Sequence, residues 1–223
     1  MPPALTLTSR GVFGHVDGYA EGVGIPYNPV KAKQWLTDAG YPNGQGIAPI
    51  TLWFNTSTGH QEIAEYIRDS WYNTLGVSVT LQSLDWGDYL NQLENDDFQV
   101  WRLGWCADYN DAYNFLHDAL DLRSRYGNWA NTAYDDLLSQ AIQEQDPNTR
   151  KDLYKQAEEI LVENDAVMIP IYYYTSRVAV KPYLERTFPT LGAFDIATWR
   201  IVPDAVDDWI KHPSNPVLVP GNV

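Results

Sequence analysis

Between residues 60 and 75, Ile63, Ile67, Trp71 and Leu75 recur every fourth position. That spacing predicts an amphipathic helix, and Gly76 predicts its end. Val77, Val79 and Leu81 then alternate with polar neighbours, the period of a half-buried strand. A second strand is expected over Ile50 to Asn55, after Pro49. Residues 85–95 return to a helical period, and Phe98, Val100 and Leu103 mark a third strand. Upstream, Asn28 suits a helix N-cap and Pro29 its first turn. Ala32, Trp35, Leu36 and Ala39 would form the inward stripe of that helix. Gly40 is its stop, and Pro42-Asn43-Gly44 reads as a turn. Downstream, helices are expected over 134–144, with Leu137, Leu138 and Ala141 inward, and over 149–164, with Leu153, Ala157, Ile160 and Leu161 inward. Residues 168–174 and 178–180 read as strands.

Strands alternating with helices predict an α/β fold with a mixed, mainly parallel sheet flanked by helices. Residues 1–27 have no clear period and hold five glycines, so they read as a loop-rich lead-in. Residues 28–202 carry the α/β pattern. Residues 203–223, rich in Pro, Asp and Asn, read as a loosely attached extension. No internal repeat is visible.

Charge narrows the function classes. Fifteen basic and 29 acidic residues give a net charge of −14. Nucleic-acid binding needs a cationic surface, so no nucleic-acid partner is expected. The same charge disfavours docking on anionic lipid. The single cysteine, Cys106, excludes an internal disulfide and a cysteine-based zinc site. No stretch reaches the roughly 18 apolar residues of a membrane span. The start MPPALTLTSRG lacks the basic region and apolar core of a secretion signal. Aromatic residues make up 13% of the chain, with nine Trp and fifteen Tyr. Such side chains serve ligand grooves and cores alike.

Catalytic motifs are missing. None of the four histidines sits in an HExxH pair, and there is no GxSxG, GxxxxGK[ST] or GxGxxG run. Asp108, Asp111 and His117 match no standard metal-ligand spacing. Asp96–Asp97 and Asp207–Asp208 are neighbours in sequence, whereas glycosidase acids must converge across a cleft. The expectation is a binding protein without catalytic residues, metal or cofactor. One segment is chemically dense: Trp101-Arg102-Leu103-Gly104-Trp105-Cys106-Ala107-Asp108-Tyr109-Asn110-Asp111. It follows a predicted strand, and ligands in open α/β sheets bind beyond the carboxyl ends of strands. A carboxylate there can hold an ammonium group, and a guanidinium can hold a carboxylate. On the residues alone a second reading stays open, with Arg102 and Asp108 as surface groups and the Trp residues as core.

In order along the chain, YNPVKAKQWLTDAGYPNG, LDWGDYL, WRLGWCADYNDAYNFL, NWANTAYDDLLSQA, DPNTRKDLYKQAEEILVENDAVMIPIYYY and VAVKPYL resemble the oligopeptide- and dipeptide-binding proteins of ABC importers. These are extracellular solute-binding proteins of family 5. The resemblance runs from about Tyr27 to Pro182. It implies two α/β lobes that close on a peptide, with this chain as the C-terminal lobe and residues 1–27 near the hinge. It also implies an N-terminal lobe outside this sequence, membrane subunits of an importer as partners, and a periplasmic or lipid-anchored extracellular place. By resemblance, Asp108 receives the peptide's α-ammonium and Arg102 pairs with a ligand carboxylate. Trp105 and Cys106 line the peptide and its pockets, and Trp86 forms an aromatic wall; Tyr109, in the dense segment, is a further candidate ligand-binding residue. Leu93 departs from relatives that carry a second arginine there, which leaves the preferred peptide length open. Some relatives pair the cysteine matching Cys106, and this chain offers it no partner. Relatives of this fold also bind oligosaccharides or nickel complexes. From other classes, an acidic glycosidase and a purely structural interaction domain remain as alternatives.

Overall fold

The computed structural model describes residues 2–95, 98–120, 129–175, 179–187, 196–202, 209–211 and 218–220. The chain enters through one helical turn, α1 (Gly18–Glu21), and a ten-residue helix, α2 (Pro29–Asp38). Asn28 caps α2 as its residue type predicts, with Oδ1 accepting the Lys31 N–H at 3.0 Å. Next come β1 (Ile50–Asn55), α3 (Thr58–Leu75), β2 (Val79–Leu84), α4 (Trp86–Asn95) and β3 (Val100–Trp101). The three strands are parallel, in the order β2-β1-β3. Ile50 pairs with Val79 and Asn55 with Leu84 on one side of β1, and Trp53 pairs with Trp101 on the other.

Alternation along β1 decides what covers each face of the sheet. Leu52 and Phe54 are buried with Ala64 of α3, together with Val77 and Val79. Trp53 points the other way, against Tyr89 and Leu93 of α4, with Phe98, Trp101 and Leu103 beside them. Helices therefore cover both faces, as two successive β-α-β crossovers require. Gly76 ends α3 at φ 74°. A Cβ there would lie 2.2 Å from the Asn43 carbonyl oxygen, so the turn before β2 admits only glycine.

A second core lies beside the sheet. It is built by residues of the lead-in, by a π-turn (Asn114–Asp118), and by α5 (Thr132–Ala141) and α6 (Pro147–Glu159). Val16, Leu116, Tyr134, Ala141, Tyr154, Ala157 and Leu161 have no exposed surface. Fully burying a Val or Leu side chain contributes roughly 1.5–3 kcal/mol. Two buried phenols find acceptors: Tyr134 donates to the Leu116 carbonyl at 2.5 Å, and Tyr154 to Asp111 Oδ1 at 2.5 Å. The lead-in is held from the far end of the chain. Thr6 and Tyr173 share a hydroxyl–hydroxyl bond of 2.8 Å, and Glu158 takes the N–H groups of Leu7 and Thr8.

Four expectations change. Residues 168–174 form no strand but a single bridge, Pro3 to Tyr172, flanked by the bonds Ala4 N–H to Ile171 O and Tyr173 N–H to Pro2 O. The partner stretch opens with Pro2 and Pro3, and Pro3 has no N–H to extend a ladder. Ala179 and Val180 carry no strand either, and Val178 lies outside the described residues. Trp35 is 44% exposed rather than inward, with the Lys31 ammonium 4.6 Å from its ring centre. The last helix loosens at Ile160 into a second π-turn (Ile160–Asn164). Much of the tail after Pro203 lies outside the described residues. Near the end of the chain, β4 (Leu184–Glu185) pairs with β5 (Arg200–Ile201), and β6 (Trp209–Lys211) with β7 (Leu218–Pro220), both antiparallel.

Candidate functional site

Because the three strands run the same way, their carboxyl ends share one edge of the sheet. Asn55 ends β1, Trp86 opens α4 just past β2, and Arg102 follows β3. The backbone holds Arg102 at that edge. Its N–H donates to the Trp53 carbonyl at 2.9 Å, and its carbonyl accepts the Tyr89 hydroxyl at 2.7 Å. The guanidinium donates to Asn55 Oδ1 at 3.2 Å and to the Tyr174 hydroxyl. Its carbon lies 5.9 Å from the Tyr174 ring centre. Gly104 lets Tyr174 approach, since a Cβ there would be 3.0 Å from that ring. Among the described residues no carboxylate forms an ion pair with Arg102.

His60 completes this group. Its Nδ1 lies 3.2 Å from the Asn55 carbonyl oxygen. Burial lowers its pKa below the ordinary 6.5 against that bond, and the charge of Arg102 lowers it further. The imidazole is therefore mainly neutral at pH 7, which leaves Arg102 as the cation among the described residues of this group. Trp86 is 51% exposed and lies 6.3 Å from the Tyr89 ring, centre to centre. Leu93 is buried against Tyr89 on the inward side of α4.

Beyond Gly104 the segment crosses to the second core, where Asn114 organises it. Asn114 opens the π-turn and has no exposed surface. Its Oδ1 accepts the Trp105 indole N–H at 2.9 Å and the Asp108 backbone N–H at 3.0 Å. Its Nδ2 donates to Asp108 Oδ2 and to Asp118 Oδ2, each at 3.1 Å. Tyr109 donates its hydroxyl to Asp118 Oδ2 at 2.6 Å, and His117 Nδ1 lies 2.9 Å from Asp118 Oδ1. Burial tends to raise the Asp118 pKa, but the bonds from Tyr109, His117 and Asn114 outweigh it and hold the group below its ordinary value. Burial, then Asp118, raises the Tyr109 phenol above its usual range. Asp108 itself is exposed, and no cation among the described residues pairs with it. Cys106 is exposed as a free thiol.

The expected residues thus fall into two groups on one segment. Arg102 stands at the sheet edge with Asn55, His60 and Tyr174, and Trp86 stands at the same edge. Asp108, Trp105 and Tyr109 gather around Asn114 and Asp118. A carboxylate and a guanidinium with aromatic side chains nearby have the chemistry to take the two charges of a zwitterion. The sequence reading missed Asn114, although an amide between Tyr113 and the apolar pair Phe115-Leu116 is a visible signal of a buried polar role. Tyr174, 72 residues from Arg102, carries no local signal.

Residues 2–127 match the family described as bacterial extracellular solute-binding proteins, family 5, middle. The chain is 35% identical over 185 residues to the probable deoxycholate-binding periplasmic protein YgiS of Escherichia coli, covering 82% of this chain and 34% of that one. It is 34% identical over 155 residues to the periplasmic oligopeptide-binding protein OppA of Salmonella typhimurium, covering 69% and 28%. The solved Escherichia coli murein tripeptide binding protein MppA superposes with a TM-score of 0.70 at 32% identity, over 89% of this chain and 40% of that one. The chain spans about a third of the length of these curated relatives. With a parallel sheet helix-covered on both faces, and with this sequence match, the chain belongs to the family 5 extracellular solute-binding proteins.

Proposed function

We propose that this chain is one wall of a peptide-binding cleft, in a protein that delivers peptides to an ABC importer outside the cytoplasm. The observation that carries the reading is the Asp108 carboxylate. It is exposed, unpaired by any cation among the described residues, and oriented by a buried amide. A peptide's α-ammonium would supply the missing charge, and Arg102 would meet a ligand carboxylate. Trp86, Trp105, Cys106 and Tyr109 would border the bound chain. A second lobe, hinged near residues 1–27, would close over the ligand held on 28–202, and the importer's membrane subunits would recognise the closed form. Catalysis has no place in this scheme, since capture and release need no bond to break.

Calorimetry with a free tripeptide on the intact protein tests it. Asp108→Ala is expected to weaken binding by roughly 10- to 100-fold, as loss of a charged hydrogen-bond partner costs about 1.5–3 kcal/mol. Unchanged affinity removes Asp108 from the site and with it this reading. A second reading keeps the cleft and changes the guest. The broad exposed face of Trp86 suits an apolar or ring-shaped ligand, and one relative is named for deoxycholate. Mass spectrometry of the ligand that co-purifies with the intact protein separates the two.

A further inference from the structure

We propose that Asn114 is the positioning residue of this site: from inside the π-turn it fixes the Asp108 carboxylate and the Trp105 indole in the poses that receive a peptide's amino end. The inference rests on the peptide reading above and deepens it. A buried amide is costly unless its groups find partners. Asn114, with no exposed surface, uses both N–H donors and takes two N–H groups on its oxygen. Three of these four bonds go to Trp105 and Asp108. The fourth goes to Asp118, which holds the Tyr109 hydroxyl in turn. One side chain therefore orients two of the expected ligand-facing residues directly and a third through a carboxylate.

The chemistry of the position is selective. An apolar residue would leave the Trp105 and Asp108 N–H groups without their acceptor. An aspartate would keep that acceptor but bring a third carboxylate against Asp108 and Asp118, with no donor between them. Asn114 and Asp118 stand at the two ends of the π-turn, and the single NH2 of Asn114 reaches the carboxylates of Asp108 and Asp118. Asp108 Oδ2 is spent on this bond. Its Oδ1 has no partner among the described residues, and the residue is exposed.

The test compares a tripeptide with its N-acetylated form on the intact protein by calorimetry. Wild type is expected to prefer the free amine by about tenfold or more, and Asp108→Asn to lose that preference. Asn114→Asp and Asn114→Leu are expected to bring the ratio to within about twofold. The Trp105 indole N–H resonance, identified by its loss in Trp105→Phe, should shift in Asn114→Leu and hold in Asn114→Asp. That contrast separates orientation of Asp108 from upkeep of the fold. Full discrimination retained in both Asn114 variants, with Asp108→Asn still losing it, overturns the positioning role and leaves the peptide reading standing. Wild type without discrimination overturns the peptide reading and this inference together. If neither Asn114 variant folds, the residue is structural and the inference falls.

Discussion

Glu158 and Thr8, 150 residues apart, are joined by a buried hydrogen bond of 2.9 Å from the Thr8 backbone N–H to the Glu158 carboxylate. The other carboxylate oxygen accepts the Leu7 N–H at the same distance. One side chain on α6 thus supplies the acceptors that a neighbouring strand would supply in a sheet, and the lead-in is fastened to the second core without any ladder.

Removing that acceptor should loosen the lead-in. Glu158→Ala leaves two buried N–H groups unpaired and opens a cavity, at a cost of about 2–5 kcal/mol. Glu158→Gln keeps one acceptor and turns a donor on the other N–H, costing about 1–3 kcal/mol. Burial raises the Glu158 pKa above its ordinary 4.5, against the bonds from Leu7 and Thr8. The folded state therefore holds this proton more tightly than the unfolded chain. The linked stability is full below pH 4.5 and is lost as pH rises through the folded-state value. Thermal unfolding across that range should show the advantage of wild type over Glu158→Gln shrinking as pH rises. An advantage that grows with pH contradicts the assignment.

Gly14 makes the same junction intolerant of a side chain. It sits at φ 85°, and a Cβ would lie 2.6 Å from the Tyr154 ring and 2.8 Å from the Ala112 methyl. Gly14→Ala combines left-handed backbone cost with overpacking, about 2–4 kcal/mol together. Denaturant unfolding should show a lowered midpoint at unchanged slope. Tyr154→Phe removes the hydroxyl bonds to Asp111 and Arg150 yet keeps the ring, so it should not relieve the alanine.

Local patterns carried much of the sheet half of the molecule. The four-residue spacing of Ile63, Ile67, Trp71 and Leu75, closed by Gly76, marks α3, because a helix buries one stripe and needs a left-handed residue to end. The cap Asn28 and the alternation into β2 were equally legible. What local pattern cannot hold is pairing at long range. Tyr154 and Glu158 lie on α6 outside its expected stripe, and both are fully buried because the lead-in covers that side. The apolar run 168–174 carries a strand's composition but meets Pro2 and Pro3 across the gap. At the candidate site the Asp108 segment stood out through its own chemistry. Its support came from Asn114 within the same motif and, for Arg102, from Tyr174 far down the chain.

Arg102 offers the sharpest test of the sheet-edge group. Its guanidinium is bound only by the neutral acceptors Asn55 and Tyr174, so its charge is uncompensated among the described residues. If it meets a ligand carboxylate, Arg102→Gln should weaken a peptide with a free carboxylate by about 10- to 100-fold, the range of a charge-assisted bond. The C-amidated version of that peptide, which keeps its ammonium but lacks the carboxylate charge, should bind wild type and Arg102→Gln about equally well. Tyr174→Phe removes one neutral acceptor and keeps the ring beneath the cation, so it should change either affinity by only about threefold or less. Calorimetry on the three proteins with the two peptides reads all of this directly. An equal loss for both peptides in Arg102→Gln would mean that the arginine braces Asn55 and Tyr174 at the strand ends and touches no ligand charge.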